Sequence, residues 1–245
     1  MSDGDLFLDQ YIRVLDGLPA DDPWPALHES GFLDLLRPEA DGGAGLELDA
    51  VFALAVETGR RPHAPAVIET MAARLIDPQA IAVADIEPLH GRPLAAALAA
   101  AHMVGAMEAI EELTLAYALQ RRQFGREIGR FQAVQNLVAV LVEEVRAARM
   151  AVQAGLVGPL AAISPRTAAL AKIRAGQAAV TVAASAHAVH GAIGISEEYA
   201  LHHHVRRLRA WRIAHGGENW WSHELGEWAI SVDRDVTTLA RGLTP

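Results

Sequence analysis

The sequence predicts an all-α protein, with short N-terminal helices followed by a C-terminal four-helix up-and-down bundle. Apolar residues recur at helical spacing over long segments from Pro93 onward, which is the pattern of amphipathic helices. Proline and glycine interrupt the chain before Pro93 at short intervals, and this limits the helices there to a few turns. Strand signals are nearly absent, because only 80–86 could form a short strand and nothing nearby could pair with it.

The region before the bundle is predicted to hold four short helices, at 5–15, 25–30, 48–59 and 65–75. Between the second and third of them, the glycine-rich segment 31–45 is predicted to be a loop that contains a turn. A glycine-rich loop can cradle a phosphate group, but no strand precedes this one and no Lys-Ser/Thr pair follows it. We therefore assign it no chemistry.

The bundle is predicted to consist of four long helices, at 93–121, 132–154, 165–190 and 218–239. Ser164 and Pro165 indicate the start of the third helix, because serine is a good N-cap and proline is tolerated at the first helical position. Gly191 and Gly194 indicate its end. The lengths and apolar faces of the four helices are those of an antiparallel bundle.

Composition narrows the function classes. The chain has 245 residues with 51% hydrophobic content, enough for one sizeable core. Its 30 acidic residues outnumber 21 basic ones, and the formal charge of -9 argues against nucleic-acid binding. Because cysteine is absent, the N-terminus has no signal-peptide pattern and polar residues interrupt the alanine-rich runs, we expect a cytoplasmic protein without disulfides or a membrane-spanning segment.

Three consecutive histidines, His202, His203 and His204, resemble a metal-binding tract. Consecutive residues of a helix point about 100° apart, so three of them cannot converge on one ion. We expect no metal site here, and a role at the surface or in ring stacking instead.

Two segments resemble signatures of the acyl-CoA dehydrogenase family. Residues 117–135, YALQRRQFGREIGRFQAVQ, are similar to the family's sequence between the first two helices of its C-terminal bundle. Residues 190–199, HGAIGISEEY, resemble the family's glycine turn, after which Arg206 and Gly216 fall without a gap at a family arginine and Gly-Thr pair. Looser similarities extend the resemblance to the N-terminal helices, through 24–27, 35–39 and 42–46.

The resemblance implies that one domain of the family has been lost. Family members carry a β-sheet domain of roughly a hundred residues between the N-terminal helices and the bundle. The resemblance therefore divides this chain into an N-terminal helical region at 1–76, a short linker in place of the β-domain at 77–92, and the bundle at 93–245. Since the β-domain covers one face of the flavin in the family, this chain alone should bind FAD poorly.

The resemblance also points to a catalytic position. In many members a glutamate directly before the Gly-Thr pair removes the α-proton of the acyl-CoA, while hydride leaves the β-carbon for the flavin. This chain has His215 there, and the other family position for the glutamate falls near Ala95, without a carboxylate neighbour. A neutral histidine can accept a proton at physiological pH, so His215 is a candidate base, with Glu218 as a second candidate. Alternatively, His215 hydrogen-bonds or caps a helix end, and Glu218 favours the N-terminus of the last helix.

Four further residues match positions that contact the cofactor in the family. Arg121 and Phe124 match positions that, in related dimers, reach the adenine and pyrophosphate of a flavin bound mainly by the neighbouring subunit, and Gln132 and Gly191 also fit. By contrast, the glutamine expected three residues before the glycine turn is Ala188 here. The alternatives are a solvated loop for Arg121 and a contact at a helix N-terminus for Gln132.

The resemblance leaves three functions open. The chain could be a subunit of an FAD-dependent oxidoreductase that α,β-desaturates an acyl thioester, in a homo-oligomer or in a hetero-oligomer with a full-length acyl-CoA dehydrogenase-like subunit. It could be a flavin-free isomerase, dehydratase or cyclase that uses His215 for proton transfer on an acyl or polyketide-like substrate. It could also be a non-catalytic partner subunit. A shared site of the first kind is known in the family for bulky acyl chains, including steroid side chains.

Overall fold

The computed structural model describes residues 3–75, 77–80 and 87–232, and it confirms the all-α fold. Nine α-helices account for most of these described residues, and short turns and 3-10 helices connect them. In the same residues, the extended structure amounts to a two-stranded hairpin with two residues in each strand. The predicted strand at 80–86 lies almost wholly outside the described residues.

The N-terminal region contains the four short helices that the sequence predicts, α1 (Asp3–Asp16), α2 (Trp24–Glu29), α3 (Leu48–Gly59) and α4 (Val67–Ala73). The glycine-rich segment between α2 and α3 forms two 3-10 turns, Phe32–Asp34 and Glu39–Asp41, as expected for a turn-containing loop. Buried residues of these helices and of the bundle form one hydrophobic cluster. The N-terminal helices and the bundle therefore share a core, and the division into three regions stays a prediction.

The four long predicted helices are present as α5 (Glu87–Gln120), α6 (Gln132–Gly155), α7 (Pro165–His190) and α9 (Glu218–Ser231). Helices α5, α6 and α7 pack against one another, and α9 packs on α7. α7 begins at the predicted cap, where the amide of Thr167 donates to Ser164 Oγ and the amide of Ser164 donates to Thr167 Oγ1, both at 3.2 Å. α5 begins within the segment assigned to the linker, and the predicted end of the last helix lies outside the described residues.

A further helix, α8 (Ala200–Ile213), lies between α7 and α9 and was not among the four predicted. It packs on α5 and α7 through the apolar residues Leu201, Val205, Leu208 and Trp211, which are buried at helical spacing. The bundle is thus completed by a fifth helix, whose C-terminal end leads directly into the loop that carries His215.

Helices α3 and α5 approach each other closely at two glycines. A Cβ atom built on Gly105 would lie 1.9 Å from the carbonyl oxygen of Val56, and one built on Gly59 would lie 2.1 Å from that of His102. The two helices therefore touch backbone to backbone, and this contact fixes the N-terminal helices on the bundle.

Two helical segments of the described chain, Pro93–Gln120 and Pro165–Ile195, are long and apolar enough to cross a membrane by composition alone. However, 89% and 50% of their most apolar windows are buried inside the protein. Core helices of soluble proteins pass the same test, so these segments are weak evidence for a membrane. The expected absence of a membrane-spanning segment stays a prediction.

Candidate functional site

The structure places the candidate residues in two groups, one near the C-terminal end of α7 and one near its middle. The cofactor candidates lie where α5 ends, α6 begins and α7 ends. His215 lies on the loop between α8 and α9, and Glu218 is the first residue of α9. The side chain of Glu218 rests against Gly176 of α7. Gly176 precedes His190 by 14 positions, which corresponds to about 21 Å along a helix. The two groups are therefore separate sites on this chain.

A short hairpin presents Phe124 to solvent. The antiparallel strands β1 (Arg122–Gln123) and β2 (Arg126–Glu127) are joined by Phe124 and Gly125, which have φ values of +49° and +81°. Two positive φ angles are the geometry of the tight turns that close such hairpins. The Phe124 side chain is 91% exposed, an unusual state for a large aromatic residue in a monomer.

Among the arginines in and beside this hairpin, Arg121 differs from the rest. Arg122 and Arg130 pair with the carboxylate of Glu127 at 2.7 and 2.6 Å, and Arg126 lies over an aromatic ring. The guanidinium of Arg121 is exposed and has no ion pair or hydrogen bond within the part of the chain that the structure describes. It is therefore available to an anion outside the chain.

Gln132 and Gly191 complete this group at the end of the bundle. Gln132 is the exposed first residue of α6, and Gly191 ends α7 with a φ of +65°. Below the glycine turn, the ring of Tyr117 stacks on His190 with centroids 4.5 Å apart, so the turn rests on a packed aromatic layer. Burial lowers the pKa of His190, which keeps this layer uncharged at neutral pH.

The chemistry of these four residues would suit the adenine and pyrophosphate end of a flavin held mainly by another subunit, as the resemblance implies. An uncommitted guanidinium suits a phosphate, an exposed aromatic ring suits a base, and a glutamine at a helix N-terminus can donate a hydrogen bond. A Cβ atom built on Gly191 would meet no atom within 4 Å, so the turn is open to a ligand. All four residues are exposed, however, so this chain alone would leave such a ligand uncovered.

His215 adopts an unusual backbone conformation. It follows the end of α8 with a φ of +56°, and the next residue, Gly216, has a φ of +98°. A left-handed conformation costs a residue with a side chain about 1–2 kcal/mol, so the surrounding structure must hold it. The indole nitrogen of Trp221 donates a hydrogen bond to the His215 carbonyl at 3.2 Å. His215 is partly exposed and stays a candidate base.

Glu218, the first residue of α9, is held on two sides. Its Oε1 accepts a hydrogen bond from Arg212 Nε at 2.5 Å. A Cβ atom built on Gly176 would lie 2.6 Å from Glu218 Cγ and Cδ, so the glutamate packs directly on α7. These contacts support the alternative in which Glu218 stabilises the start of α9, and its catalytic role stays a prediction.

Lys172 is a site residue that the sequence analysis did not identify. It lies in the second turn of α7, is only 1% exposed, and its Nζ donates to the carbonyl oxygens of Trp211 at 2.6 Å and Arg212 at 2.8 Å. Burial lowers the pKa of Lys172 to about 8, while Glu218 raises it and Arg212 lowers it further. The only available signal was that Lys172 is the single lysine of a chain whose other basic residues are arginines.

A cavity of about 640 Å³ adjoins the loop between α8 and α9, lined among others by Gln177, Thr181, Arg212, Gly217, Glu218 and Asn219. A smaller cavity of about 300 Å³ continues from it along α7, and the two share Val180 and Arg212. The loop that carries His215 therefore borders a groove large enough for part of a ligand.

The three consecutive histidines lie in the first turn and a half of α8. His203 stacks edge-on against His63, with ring centroids 4.9 Å apart, as expected for a stacking role. Burial lowers the pKa of His204 to about 4, with further lowering by His203, His63 and Arg60. Across the described residues, no three His, Asp or Glu side chains are grouped so that they could hold a metal ion, and the expected absence of a metal stays a prediction.

The pKa of His204 leads to a pH dependence of stability. Its folded-state pKa lies below the unfolded value of about 6.5, so the unfolded chain binds more protons below pH 6.5. We expect the free energy of unfolding to fall by about 2 kcal/mol between pH 6.5 and 5 through this residue alone. Urea unfolding at several pH values should show a smaller fall for His204→Gln. The exposed control His223→Gln should leave the fall unchanged, and an equal fall in all three proteins would contradict the prediction.

Comparison with known proteins decides the family. Residues 89–227, more than half of the chain, match the family described as "Acyl-CoA dehydrogenase, C-terminal domain". The chain belongs to the acyl-CoA dehydrogenase family. This confirms the resemblance on which the site residues were chosen. Acyl-CoA dehydrogenases normally bind FAD, and FAD binding by this chain is a proposal.

Curated relatives of this chain match it over only part of their own length. Acyl-CoA dehydrogenase IpdE2 of Mycobacterium tuberculosis is 39% identical over 127 residues, which cover 50% of this chain and 39% of the relative. The 3-sulfinopropanoyl-CoA desulfinase of Paraburkholderia xenovorans is 36% identical over 118 residues, 48% of this chain and 30% of the relative. The chain thus spans less than half the length of these relatives.

Solved acyl-CoA dehydrogenase structures match the fold over nearly the whole chain. A chain of the ChsE4-ChsE5 complex from Mycobacterium tuberculosis aligns with a TM-score of 0.76 and 16% identity, over 96% of this chain and 99% of that one. The Tcur3481-Tcur3483 steroid ACAD aligns with a TM-score of 0.72 and 18% identity, over 93% and 98%. At these identities the likeness shows the fold, which includes the N-terminal helices.

Proposed function

We propose that this chain is a subunit of a hetero-oligomeric, FAD-dependent acyl-CoA dehydrogenase that α,β-desaturates an acyl thioester in the cytoplasm. One observation carries the proposal: the four family cofactor positions are exposed together at one end of the bundle, and Arg121 there lacks a partner within the described chain. A partner subunit with a sheet domain would hold most of the flavin and the catalytic base. This chain would complete the site from the other side.

Each of the four residues has a chemical task in such a site. The Arg121 guanidinium binds a pyrophosphate oxygen, and the Phe124 ring packs on the adenine. The Gln132 amide donates a hydrogen bond, and Gly191 allows the backbone to come close to the ligand. The bound flavin supplies the acceptor for the hydride that leaves the acyl β-carbon. Because this chain shields the partner's site from water, oxidation of the thioester needs both subunits.

The structural neighbours support a paired assembly. Two of them carry names that join two proteins, the ChsE4-ChsE5 complex and the Tcur3481-Tcur3483 steroid ACAD. The second name specifies a steroid substrate for that protein. By analogy, we propose a bulky acyl chain as the substrate class here.

Co-expression with a full-length acyl-CoA dehydrogenase-like subunit tests the proposal. We expect this chain alone to purify colourless, and the two-subunit complex to be yellow and to reduce an artificial electron acceptor with a bulky acyl thioester. The control is the larger subunit expressed alone, which should lose most of its flavin and activity. Full flavin content and activity in that control would contradict the proposal, as would stoichiometric flavin on this chain alone. A stable colourless complex would instead support a non-catalytic partner subunit.

A second candidate function is proton transfer by His215 without flavin, of the isomerase, dehydratase or cyclase type. The observation that favours it is the positive φ of His215, because strained backbone is concentrated at functional sites. The loop that carries His215 borders the groove described above through Ile213 and Gly217. A neutral imidazole could accept a proton from the α-carbon of a thioester. Exchange of that proton with deuterated water would report the activity, and an unchanged rate in His215→Ala would rule it out.

A further inference from the structure

A buried polar cluster ties α7, α8 and α9 together beside the loop of His215. The last carbonyl groups of a helix have no donor within the helix, and the C-terminal end carries a partial negative charge. The ammonium of Lys172 donates hydrogen bonds to the carbonyls of Trp211 and Arg212 in the last turn of α8. Its positive charge also offsets the partial negative charge of that helix end. One side of the loop is thus fixed to α7.

The other side of the loop is fixed to the same helix one turn later. Glu218 begins α9, packs on Gly176 and accepts a hydrogen bond from Arg212. Gly176 lies four residues after Lys172, so both attachments are on the same face of α7. Arg212 belongs to both attachments, since its carbonyl accepts from Lys172 and its guanidinium pairs with Glu218.

The loop held in this way contains two consecutive residues with positive φ, His215 and Gly216. Such a conformation in a residue with a side chain persists only where surrounding contacts over-determine it. The Trp221 indole holds the His215 carbonyl from the side of α9, and the Lys172 and Glu218 contacts hold the two flanks. These three attachments hold the strained segment from both of its flanks and from α9.

We propose that Lys172 is a positioning residue, whose buried ammonium holds the loop between α8 and α9 so that the His215 imidazole is presented in one fixed place. The inference rests on the second candidate function, in which His215 transfers a proton. Glu218 and Arg212 are the charged groups that face the ammonium; they pair with each other, and they act on the pKa of Lys172 in opposite directions. The pKa of about 8 keeps Lys172 mostly charged at neutral pH, which supports this role.

Hydrogen exchange of the full-length chain tests the inference directly. The amides of Ala214 and Trp221, which donate to the carbonyls of Ala210 and Gly217, report on the two flanks of the loop. We expect Lys172→Met to speed exchange at these amides at least tenfold at pH 7, with no change in the middle of α5. Lys172→Arg should restore part of the protection. The control is Arg174→Met, which also lies on α7 but removes an ion pair with Glu144 of α6, and it should not affect the loop.

Uniformly faster exchange in Lys172→Met, or unchanged exchange at both amides, would overturn the proposal. Should Lys172→Met fail to fold, hydrogen exchange of the wild-type chain at different pH values tests the same proposal. Its protection factors at Ala214 and Trp221 should fall between pH 7 and 9 as Lys172 loses its proton, while those of α5 stay constant. Constant protection at the loop over this range would count against the proposal.

Proton-exchange kinetics separate this inference from the function on which it rests. If His215 is the base, Lys172→Met should lower kcat about tenfold with little change in KM. The double variant Lys172→Met/His215→Ala should then be as active as His215→Ala alone. If His215→Ala has no effect on the rate, the second candidate function fails, and the exchange data still decide whether Lys172 positions the loop. If His215→Ala abolishes the activity but Lys172→Met leaves it intact, only the inference fails.

Discussion

Replacing Arg121 with glutamine should weaken FAD retention by the two-subunit complex by about tenfold to a hundredfold. A charge-assisted hydrogen bond is worth about 1.5–3 kcal/mol, and glutamine keeps a donor but loses the charge. The stability of this chain should change little, because Arg121 is exposed and its side chain makes no hydrogen bond or ion pair within the described residues. Flavin absorbance of the complex, measured after equilibrium dialysis against buffers of known FAD concentration, gives the dissociation constant.

The matched control for this result is the neighbouring arginine. Arg122→Gln removes the same charge one position away, but the Arg122 guanidinium is already paired with Glu127 at 2.7 Å. We expect at most a twofold change in FAD affinity for this variant. Equal losses in the two variants would mean that the general positive charge of the hairpin attracts FAD, and that Arg121 makes no specific contact.

Gly105→Ala should lower the free energy of unfolding by at least about 3 kcal/mol, at the upper end of the usual cost of overpacking. The added methyl group would lie 1.9 Å from the Val56 carbonyl oxygen. The methyl carbon is fixed to the backbone of α5 and the carbonyl belongs to the backbone of α3, so neither can rotate away. Helices α3 and α5 would have to separate, which would open the core they share. Thermal or urea unfolding followed by circular dichroism measures the loss.

Gly226→Ala is the control for this substitution. Gly226 lies within α9, and a Cβ atom built there would meet nothing within 4 Å. Since alanine favours a helix by about 0.8–1 kcal/mol over glycine, this variant should be equally stable or more stable than the wild type. A small effect of Gly105→Ala, comparable to that of Gly226→Ala, would show that α3 and α5 do not touch as described.

Much of the fold could be predicted because helix burial leaves a periodic trace in the sequence. The apolar spacing and the Ser164-Pro165 cap located the long helices of the bundle. α8 carries the same spacing at Leu201, Val205 and Leu208, but histidines and arginines surround these residues and give the helix a polar composition. The many polar residues of α8 therefore hid the helical spacing of its apolar residues.

The site was less predictable, for a physical reason. Exposed residues such as Arg121 and Phe124 leave no periodic trace, and only the resemblance to a family identified them. The partners of Lys172 are carbonyl groups about 40 positions further along the chain, and carbonyls are not specific to any residue type. Likewise, the ion pair that engages Glu218 depends on how the chain turns between α8 and α9.

The exposed apolar side chains of the hairpin tip, of α5 and of the segment after α7 have a consequence for how this protein is made. Phe124, Leu119 and Ile195 are 91%, 70% and 68% exposed, and large apolar side chains left in water promote self-association. Under the proposed function, copies of this chain made in excess of the second subunit would therefore be prone to aggregation and degradation. Balanced synthesis of the two polypeptides would keep the number of unpartnered copies small.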